Sequence, residues 1–203
     1  MSHKLVTTLD LLRHGEPVGG RKYRGQIDDP LSERGWEQMR QALGENRPWQ
    51  AIVSSPLRRC ADFARELAGR HGLPLELDSR LVELGFGAWE GCTAQELTAQ
   101  DPELLARFRN DPISNAPPGA ETLASFRNRI LETWNSILAR HDGEHVLVVA
   151  HAGVIRMLVA NVLEMPLRHL FRIQVPNAGI SRIRVERQGD VLLPQLLFHA
   201  GKL

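Results

Sequence analysis

The sequence predicts an α/β fold, a three-layer α/β/α sandwich with a mostly parallel central sheet and an antiparallel hairpin at one edge. Three nearly continuous apolar runs alternate with amphipathic stretches of helical length, the pattern of parallel strands that helices cover on both faces. A turn signal farther along separates two more strand-like segments. With 203 residues, the chain can bury a sizeable core in one domain, predicted to span residues 1–203.

The predicted central strands are residues 5–12, 51–55 and 145–151, which are rich in β-branched and apolar side chains. Strands of this composition are buried on both faces, so we place them in the middle of the sheet. Residues 180–185 and 191–198 flank the turn sequence ERQGD and predict the antiparallel edge hairpin.

Two helices are predicted to follow the first two strands. Ser32 is placed to cap a helix that runs to about Leu43, because its hydroxyl can accept a free N–H of the first turn. Pro56 is placed in the first turn of a helix that runs to about Arg70, where its missing N–H has no cost. Both helices are expected to cover the sheet.

The second half of the chain predicts further helices. A stripe of apolar residues at helical spacing predicts a long amphipathic helix over residues 121–141. Another helix is expected to follow Gly153 and to end before Pro166. Residues 93–118 carry two short helical segments and a Pro-Pro-Gly exit, and are predicted to form a helical insertion over the active site.

Charge and cysteine content narrow the class of protein. The formal net charge is +1, so no overall field draws the chain to nucleic acid or to an acidic membrane surface. No apolar run approaches the roughly 20 residues that span a bilayer, and no leader pattern precedes the first strand. With only Cys60 and Cys92, we expect a soluble protein of the reducing cytoplasm that binds neither nucleic acid nor membrane.

Three polar motifs follow the three predicted central strands. Arg13-His14-Gly15 follows the first strand, residues 54–59 (SSPLRR) follow the second, and residues 150–153 (AHAG) follow the third. Ligands of open α/β sheets bind outside the carboxyl ends of parallel strands. The three motifs are therefore expected to converge on one site.

The arginines in these motifs indicate an anion rather than a metal ion. Two histidines with a nearby carboxylate resemble a facial metal triad. However, Arg13 and Arg59 would each lie beside the supposed cation, where a close pair of like charges costs on the order of 4 kcal/mol at an effective dielectric near 20. Guanidinium groups and helix N-termini suit a dianionic phosphate instead.

The motifs also resemble a known family. In family order they are similar to those of the histidine phosphatase, or phosphoglycerate mutase-like, superfamily, and they span residues 9 to about 185. The motifs are Leu12-Arg13-His14-Gly15-Glu16, Asp28-Asp29-Pro30-Leu31-Ser32-Glu33-Arg34-Gly35, Ser55-Pro56-Leu57-Arg58-Arg59, Glu83-Leu84-Gly85-Phe86-Gly87-Ala88-Trp89-Glu90-Gly91 and His151-Ala152-Gly153.

The resemblance implies a role for each matching residue. His14 is the implied nucleophile that forms a phosphohistidine, and Glu83 is the implied proton donor. Arg13, Arg59 and His151 are the implied phosphate pocket, to which the neighbouring backbone at Gly15 and Gly153 adds substrate contacts. The chemistry it implies requires no metal and no cofactor.

Elementary chemistry is compatible with these roles. His14 must be neutral to attack phosphorus, and neighbouring cations push the pKa of an imidazole down. Glu83 must begin protonated so that it can protonate the leaving alkoxide, and it then serves as a base toward water. Arg13, Arg59 and His151, if charged, would hold the equatorial oxygens during transfer.

Other residues of the same types are expected to lie at the surface or to serve in packing and turns. Arg58 is expected to point away from the site, and the ring pair of Phe86 and Trp89 to pack beneath its loop. The solvated surface is expected for His3, His71, His141, His145, His169 and His199, and solvation also for the carboxylates that compete with Glu83, which are Glu16, Glu90 and Glu96. Turns or close backbone approach are expected at Gly15, Gly25, Gly35, Gly87 and Gly153.

Substrate choice depends on a short segment after the first motif. Pro17 and Gly20 stand where many members have a hydroxyl residue and a phosphate-binding asparagine, which places one phosphate contact in doubt. The segment Lys22-Tyr23-Arg24 is predicted to contact the substrate, and its GG..YRG..DD.L pattern is similar to that of α-ribazole 5′-phosphate phosphatases of cobalamin assembly. Lys22 and Arg24 could instead be solvated charges.

Several alternatives stay open at this point. Within the family they are a broad-specificity phosphatase, a fructose-2,6-bisphosphatase-like enzyme and a phosphoglycerate mutase, although this chain is shorter than such mutases. From other classes they are an inactive phospho-ligand-binding or scaffold protein, and a nucleic-acid binder, for which no basic patch or motif is present. The expected partner is a small phosphorylated metabolite, and the edge hairpin also offers a surface for a homodimer.

Overall fold

A six-stranded mixed sheet forms the centre of the structure, a computed structural model that describes residues 5–203. His3, predicted at the surface, lies outside those residues. The strand order is β3-β2-β4-β1-β5-β6. Strands β1 to β4 run parallel to one another, β5 pairs antiparallel with β1, and β6 pairs antiparallel with β5 at the edge. The strands are β1 (Leu5–Arg13), β2 (Ala51–Ser54), β3 (Leu75–Leu77), β4 (His145–Ala150), β5 (Ile180–Gln188) and β6 (Val191–Gly201).

Helices cover both faces of this sheet. They are α1 (Glu33–Leu43), α2 (Arg58–His71), α3 (Ala94–Gln100), α4 (Leu104–Asn110), α5 (Leu123–Arg140) and α6 (Ala152–Val162), and short 3-10 turns occur at Ser79–Leu81, Gly87–Trp89 and Leu167–Arg172. Side chains of β4 alternate between the faces: Val146 and Val148 pack in the cluster with α5 and α6, whereas Leu147 and Val149 pack in the cluster with α1 and α2. The predicted three-layer sandwich with an antiparallel edge is confirmed.

The register of the parallel strands brings their carboxyl ends to one edge. Arg13 at the end of β1 pairs with Ala150 at the end of β4, and Ser54 at the end of β2 pairs with Val149. The residues that follow these three strands therefore leave the sheet next to one another. This register sets the position of the site described below.

Most predicted boundaries agree with the structure, and three details differ. Ser32 caps α1 by accepting the Gly35 N–H at 3.0 Å, as predicted. Pro56 was wrongly placed inside α2, whose N-cap is Leu57, because the Ser55 hydroxyl accepts the Leu57 N–H and holds Pro56 in the preceding turn. Helix α6 begins at position 152, one residue before Gly153. Strand β3 was missed, since its three residues, none of them buried, give too short a pattern.

The segment over residues 93–118 contains α3 and α4, as predicted. Its apolar side chains form a small separate cluster, whose buried members are Trp89, Leu97, Leu105 and Phe108. Trp89 is 5% exposed and Phe86 packs against the same cluster, so the predicted packing role of this ring pair is confirmed. That residues 1–203 act as one domain, with this insertion over the active site, stays a prediction.

None of the helices within residues 5–203 has the length and apolarity needed to cross a membrane.

Candidate active site

His14 lies directly after β1, buried between the ends of two parallel strands. Its backbone N–H donates to the Ala150 carbonyl at 3.0 Å, and its side chain is 5% exposed. The ring nitrogen Nδ1 lies 2.7 Å from the carbonyl oxygen of Gly15. Because a carbonyl only accepts hydrogen bonds, this contact requires the proton on Nδ1 and leaves the lone pair of the neutral ring on Nε2. The geometry therefore presents Nε2 as the nucleophilic atom.

Two glycines make room for this turn. A Cβ atom at Gly15 would lie 2.1 Å from the carbonyl oxygen of Gly35, and one at Gly35 would lie 2.1 Å from the carbonyl oxygen of Glu16. The loop after β1 thus packs directly on the first turn of α1. Similar close approach occurs at Gly25, Gly87 and Gly153, so the expectation for all five glycines is confirmed.

Burial and nearby cations keep the His14 imidazole neutral. Desolvation lowers the pKa of His14 well below its usual value, and the charges of Arg13 and Arg59 lower it further. The hydrogen bond to the Gly15 carbonyl acts in the opposite direction but is the smaller effect. At neutral pH the Nε2 lone pair is therefore available for attack.

His151 follows β4 and faces His14. The ring centroids lie 5.2 Å apart, and Nε2 of the fully buried His151 lies 2.7 Å from the Ser55 hydroxyl. Desolvation lowers the pKa of His151 well below its usual value, and Arg59 lowers it further. Without a bound anion, His151 is therefore a neutral imidazole that offers a hydrogen-bonding nitrogen, and its contact with phosphate stays a prediction.

Arg13 and Arg59 bring two guanidinium groups to the same place, the first partly buried and the second fully buried. Arg59 is 1% exposed and donates to the carbonyls of Ile27 at 2.6 Å and Gly25 at 2.8 Å. Arg13 donates to the Val175 carbonyl at 2.6 Å. The Nε atoms of both arginines are buried with no hydrogen-bond partner. Such donors are costly unless an acceptor reaches them, so the two side chains are suited to a bound anion.

Arg13 keeps its charge at neutral pH, and Arg59 differs in burial from the adjacent Arg58. Burial lowers the pKa of Arg13 to about 10, with Glu83 opposing that shift, so the group stays protonated under physiological conditions. Arg58, by contrast, has a side chain that is 57% exposed. The prediction that only one of the adjacent arginines points inward is confirmed.

Glu83 lies in the loop before the 3-10 turn Gly87–Trp89, and its carboxylate faces the start of α6. The residue is 9% exposed, and both oxygens lie 3.1 Å from the Gly153 backbone nitrogen, while Oε1 also accepts the Leu84 N–H at 2.9 Å. A Cβ atom at Gly153 would lie 2.2 Å from Oε1. Only glycine therefore lets the carboxylate reach this helix N-terminus.

The carboxylates that compete with Glu83 have other partners. Glu90 accepts the Phe86 N–H at 2.9 Å, and Glu96 forms a capping box with Thr93 at the start of α3. Glu16 has a side chain that is 38% exposed. Among residues 5–203, no group of three His, Cys, Asp or Glu side chains is arranged to hold a metal ion.

Comparison with known proteins agrees with this arrangement. The sequence profile of the histidine phosphatase superfamily (branch 1) matches residues 9–194. The chain belongs to this superfamily. The resemblance noted from the motifs is confirmed, and so is the phosphoglycerate mutase-like fold, because a mycobacterial glucosyl-3-phosphoglycerate phosphatase structure superimposes with a TM-score of 0.85 at 29% identity, covering 97% of this chain and 100% of that one.

Sequence relatives of this chain differ in their named activities. The chain spans about half (49%) of the length of mycobacterial relatives that it matches with 38% identity over 86% of its own length, including a bifunctional protein of Mycobacterium tuberculosis. Phosphoserine phosphatase 1 of Hydrogenobacter thermophilus is 32% identical over 97% of this chain and 96% of that protein. Adenosylcobalamin/α-ribazole phosphatase of Salmonella typhimurium is 30% identical over 86% and 89%, respectively.

The candidate site also contains a cation that sequence reasoning missed. Arg156 of α6 donates from Nε to the Ile173 carbonyl at 2.8 Å, and its guanidinium lies 5.4 Å from the Phe171 ring centroid. Its charge lowers the pKa of Arg13. Burial lowers the pKa of Arg156 itself, and the charge of Glu83 opposes that shift. Arg156 therefore lies within electrostatic reach of the site. A single charge in an otherwise apolar helix was the signal that could have found it.

The segment Lys22-Tyr23-Arg24, predicted to contact the substrate, makes its contacts within the protein. Arg24 is buried and donates to Asp29 and to the Val18 and Gly20 carbonyls at 2.6–2.9 Å. Lys22 also pairs with Asp29, at 3.1 Å. The Tyr23 ring packs on two other rings, 5.2 Å from that of Phe86 and 5.4 Å from that of Trp89. Arg24 is thus not a solvated charge, and substrate contact by Lys22, Tyr23 and Arg24 stays a prediction.

Proposed function

We propose that the chain is a metal-independent phosphomonoesterase that acts through a phosphohistidine on His14. One observation carries the proposal: the Nε2 lone pair of a neutral, buried His14 lies among Arg13 and Arg59, whose buried Nε atoms lack a partner. A dianionic phosphate supplies the acceptors that these two groups lack. The same groups then stabilise the charge on the transferring phosphoryl group.

The proposed reaction has two steps. First, Nε2 of His14 attacks phosphorus, the ester P–O bond breaks, and protonated Glu83 gives its proton to the leaving alkoxide. Second, water attacks the phosphohistidine, Glu83 takes up the proton of that water, and the P–N bond breaks to release inorganic phosphate. Arg13, Arg59 and His151 hold the phosphoryl oxygens in both steps, with further contacts from the backbone at Gly15 and Gly153.

The proposed substrate is α-ribazole 5′-phosphate, as in cobalamin nucleotide-loop assembly. Two observations support it, the pattern around Lys22-Tyr23-Arg24-Gly25 and the similarity to the Salmonella enzyme. Esters that carry a carboxylate, such as phosphoserine, are the second candidate. Arg156 favours these, because a fixed cation near the site can pair with the carboxylate.

A panel of phosphate esters tests this proposal. We expect kcat/KM to be highest for α-ribazole 5′-phosphate when it is compared with phosphoserine, 3-phosphoglycerate, fructose 2,6-bisphosphate and p-nitrophenyl phosphate. Equal and feeble rates on all of them would remove the substrate assignment and leave the family unchanged. Activity that survives in His14→Ala, or that the wild type loses to a chelator, would contradict the metal-free covalent mechanism.

The cellular setting and the assembly also stay proposals. Cys60 and Cys92 are both free thiols, which is compatible with the reducing cytoplasm. Strand β6 lies at the sheet edge and exposes Val191, Leu193 and Leu197, which is compatible with a homodimer. Light scattering on the purified chain measures the mass that decides the second point.

A further inference from the structure

Arg129 of α5 directs its whole guanidinium group at the loop that carries Glu83. Its Nη1 donates to the carbonyls of Arg80 at 2.6 Å and Val82 at 2.7 Å, and Nη2 donates to the Glu83 carbonyl at 3.1 Å. The two remaining N–H groups, on Nε and Nη2, form a bidentate pair with Glu121 at 2.7 Å each. All five N–H groups of the Arg129 side chain therefore donate, either to this loop or to Glu121.

Glu121 holds the other side of the same loop. Its Oε2 accepts the Gly85 N–H at 3.3 Å, and its backbone N–H donates to the Gly85 carbonyl at 3.0 Å. Both side chains of the pair are largely buried, with 19% exposure for Arg129 and 17% for Glu121. The backbone on each side of Glu83 is thus bound to one charged pair.

An aromatic ring fixes the orientation of the guanidinium. The Arg129 guanidinium lies 4.6 Å from the ring centroid of Phe126, which is fully buried one turn earlier on α5. The far edge of that ring would lie 3.4 Å from a Cβ atom at Gly153, whose N–H holds the Glu83 carboxylate. The backbone of Glu83 is thus held by Arg129 and its carboxylate by Gly153, and both of these residues lie against the Phe126 ring.

We propose that Arg129 and Glu121 form a clamp that positions Glu83 as the proton donor to the leaving group. The inference rests on the proposed phosphatase function, and it assigns Arg129 as a positioning residue rather than a catalytic one. General acid catalysis contributes about 10²- to 10⁴-fold to rate, and it requires hydrogen-bond distance to the leaving oxygen. A displacement of about 1 Å can cost about 10²-fold.

The leaving group separates this role from a purely structural one. A nitrophenolate departs as an anion with little help from an acid, whereas the alkoxide of an alkyl phosphate needs a proton. If the clamp positions the acid, its loss slows the first step for alkyl phosphates and spares that step for p-nitrophenyl phosphate. If the pair only stabilises the fold, both substrates are affected alike.

The experiment measures alcohol or phenol release in a single turnover, for p-nitrophenyl phosphate and for whichever of α-ribazole 5′-phosphate and phosphoserine the wild type cleaves faster. For Arg129→Gln we expect a loss of about 30-fold or more with the alkyl ester. With p-nitrophenyl phosphate, we expect a change of less than about threefold. Arg127→Gln, at an exposed position of the same helix, is the matched control and should leave both rates unchanged.

Glu121→Gln keeps the shape of its side chain and serves as the second variant. It should show the same selective loss at smaller size, and it decides the question if Arg129→Gln does not fold. Equal losses on both substrates in a folded variant, or no loss on either, would overturn the clamp. If the wild type and the variants all carry acid-labile phosphate on His14, but the rate losses are the same for both substrates, then only the clamp is wrong. Absence of that phosphate in the wild type means that the proposed mechanism itself fails.

Discussion

Both carboxylate oxygens of Glu83 lie 3.1 Å from the backbone nitrogen of Gly153. This nitrogen belongs to the first turn of α6, so the carboxylate lies where the helix offers a free donor and partial positive charge. A side chain at position 153 would overlap Oε1, at 2.2 Å from the Cβ atom. The two residues therefore depend on each other sterically, although they are distant in the sequence.

Gly153→Ala tests this relationship. The new methyl group must displace the Glu83 carboxylate, so we expect kcat for alkyl phosphate esters to fall by about 10- to 100-fold. The fold should persist, because alanine is the better helix former. Steady-state kinetics and a thermal melt measure the two quantities.

Gly69→Ala is the matched control for that variant. Gly69 lies in α2, and a Cβ atom there would meet no heavy atom within 4 Å. Replacement should raise the free energy of unfolding by about 0.5–1 kcal/mol and leave kcat unchanged. A kcat for Gly153→Ala equal to that of this control would refute the steric argument.

The adjacent arginines at the start of α2 give a second prediction. Arg59→Ala removes a buried phosphate-binding group and should lower kcat/KM by about 10²- to 10³-fold. Arg58→Ala removes an exposed side chain and should change kcat/KM by less than about threefold. Kinetics with p-nitrophenyl phosphate compare the two variants. Similar losses in both would show that the phosphate pocket has been assigned to the wrong side chain.

The buried histidines give a prediction about proton binding. Because burial and the arginines lower the pKa values of His14 and His151, both rings should stay neutral at pH 6, where an ordinary histidine is largely charged. NMR of the histidine ring protons follows each group through the titration. A midpoint near 6.5 for His14 would contradict the neutral nucleophile.

The same pKa shifts link stability to pH. A depressed folded-state pKa means that the unfolded chain binds more protons as pH falls below about 6.5. The stabilising contribution of neutral His14 is thus fully present above that pH and decreases as pH is lowered toward its folded-state pKa. Denaturant unfolding at pH 7.5 and pH 5.5 should show a smaller pH-dependent loss for His14→Asn than for the wild type.

Arg156 gives a prediction about substrate choice. Its guanidinium is held by Ile173 and Phe171 within electrostatic reach of Glu83 and Arg13. If it pairs with a substrate carboxylate, Arg156→Gln should raise KM for phosphoserine by about tenfold, the worth of a charged hydrogen bond. KM for p-nitrophenyl phosphate should stay within about threefold. A similar rise for both substrates would remove Arg156 from carboxylate recognition.

The sequence predicted the central strands and the convergence of His14, Arg59 and His151, because apolar runs and motifs at strand ends are local signals. Glu83 follows no predicted strand, and only the family resemblance assigned it to the site. A single charge in an apolar helix singles out Arg156, but its place near the site depends on how α6 packs against residues 171–173, which the sequence does not show. Nor could the sequence show whether Arg24 binds its own loop or the substrate, since both roles need the same charge at the same position. Such distinctions arise from tertiary contacts that no local pattern encodes.

The most direct test of the account is to trap the phosphoenzyme. Wild-type protein quenched during turnover of p-nitrophenyl phosphate should carry acid-labile phosphate, and peptide mass spectrometry under alkaline conditions should place it on His14. His14→Ala should carry none. Turnover by the wild type with no acid-labile phosphate at this residue, or with phosphate on another side chain, would contradict nucleophilic attack by His14.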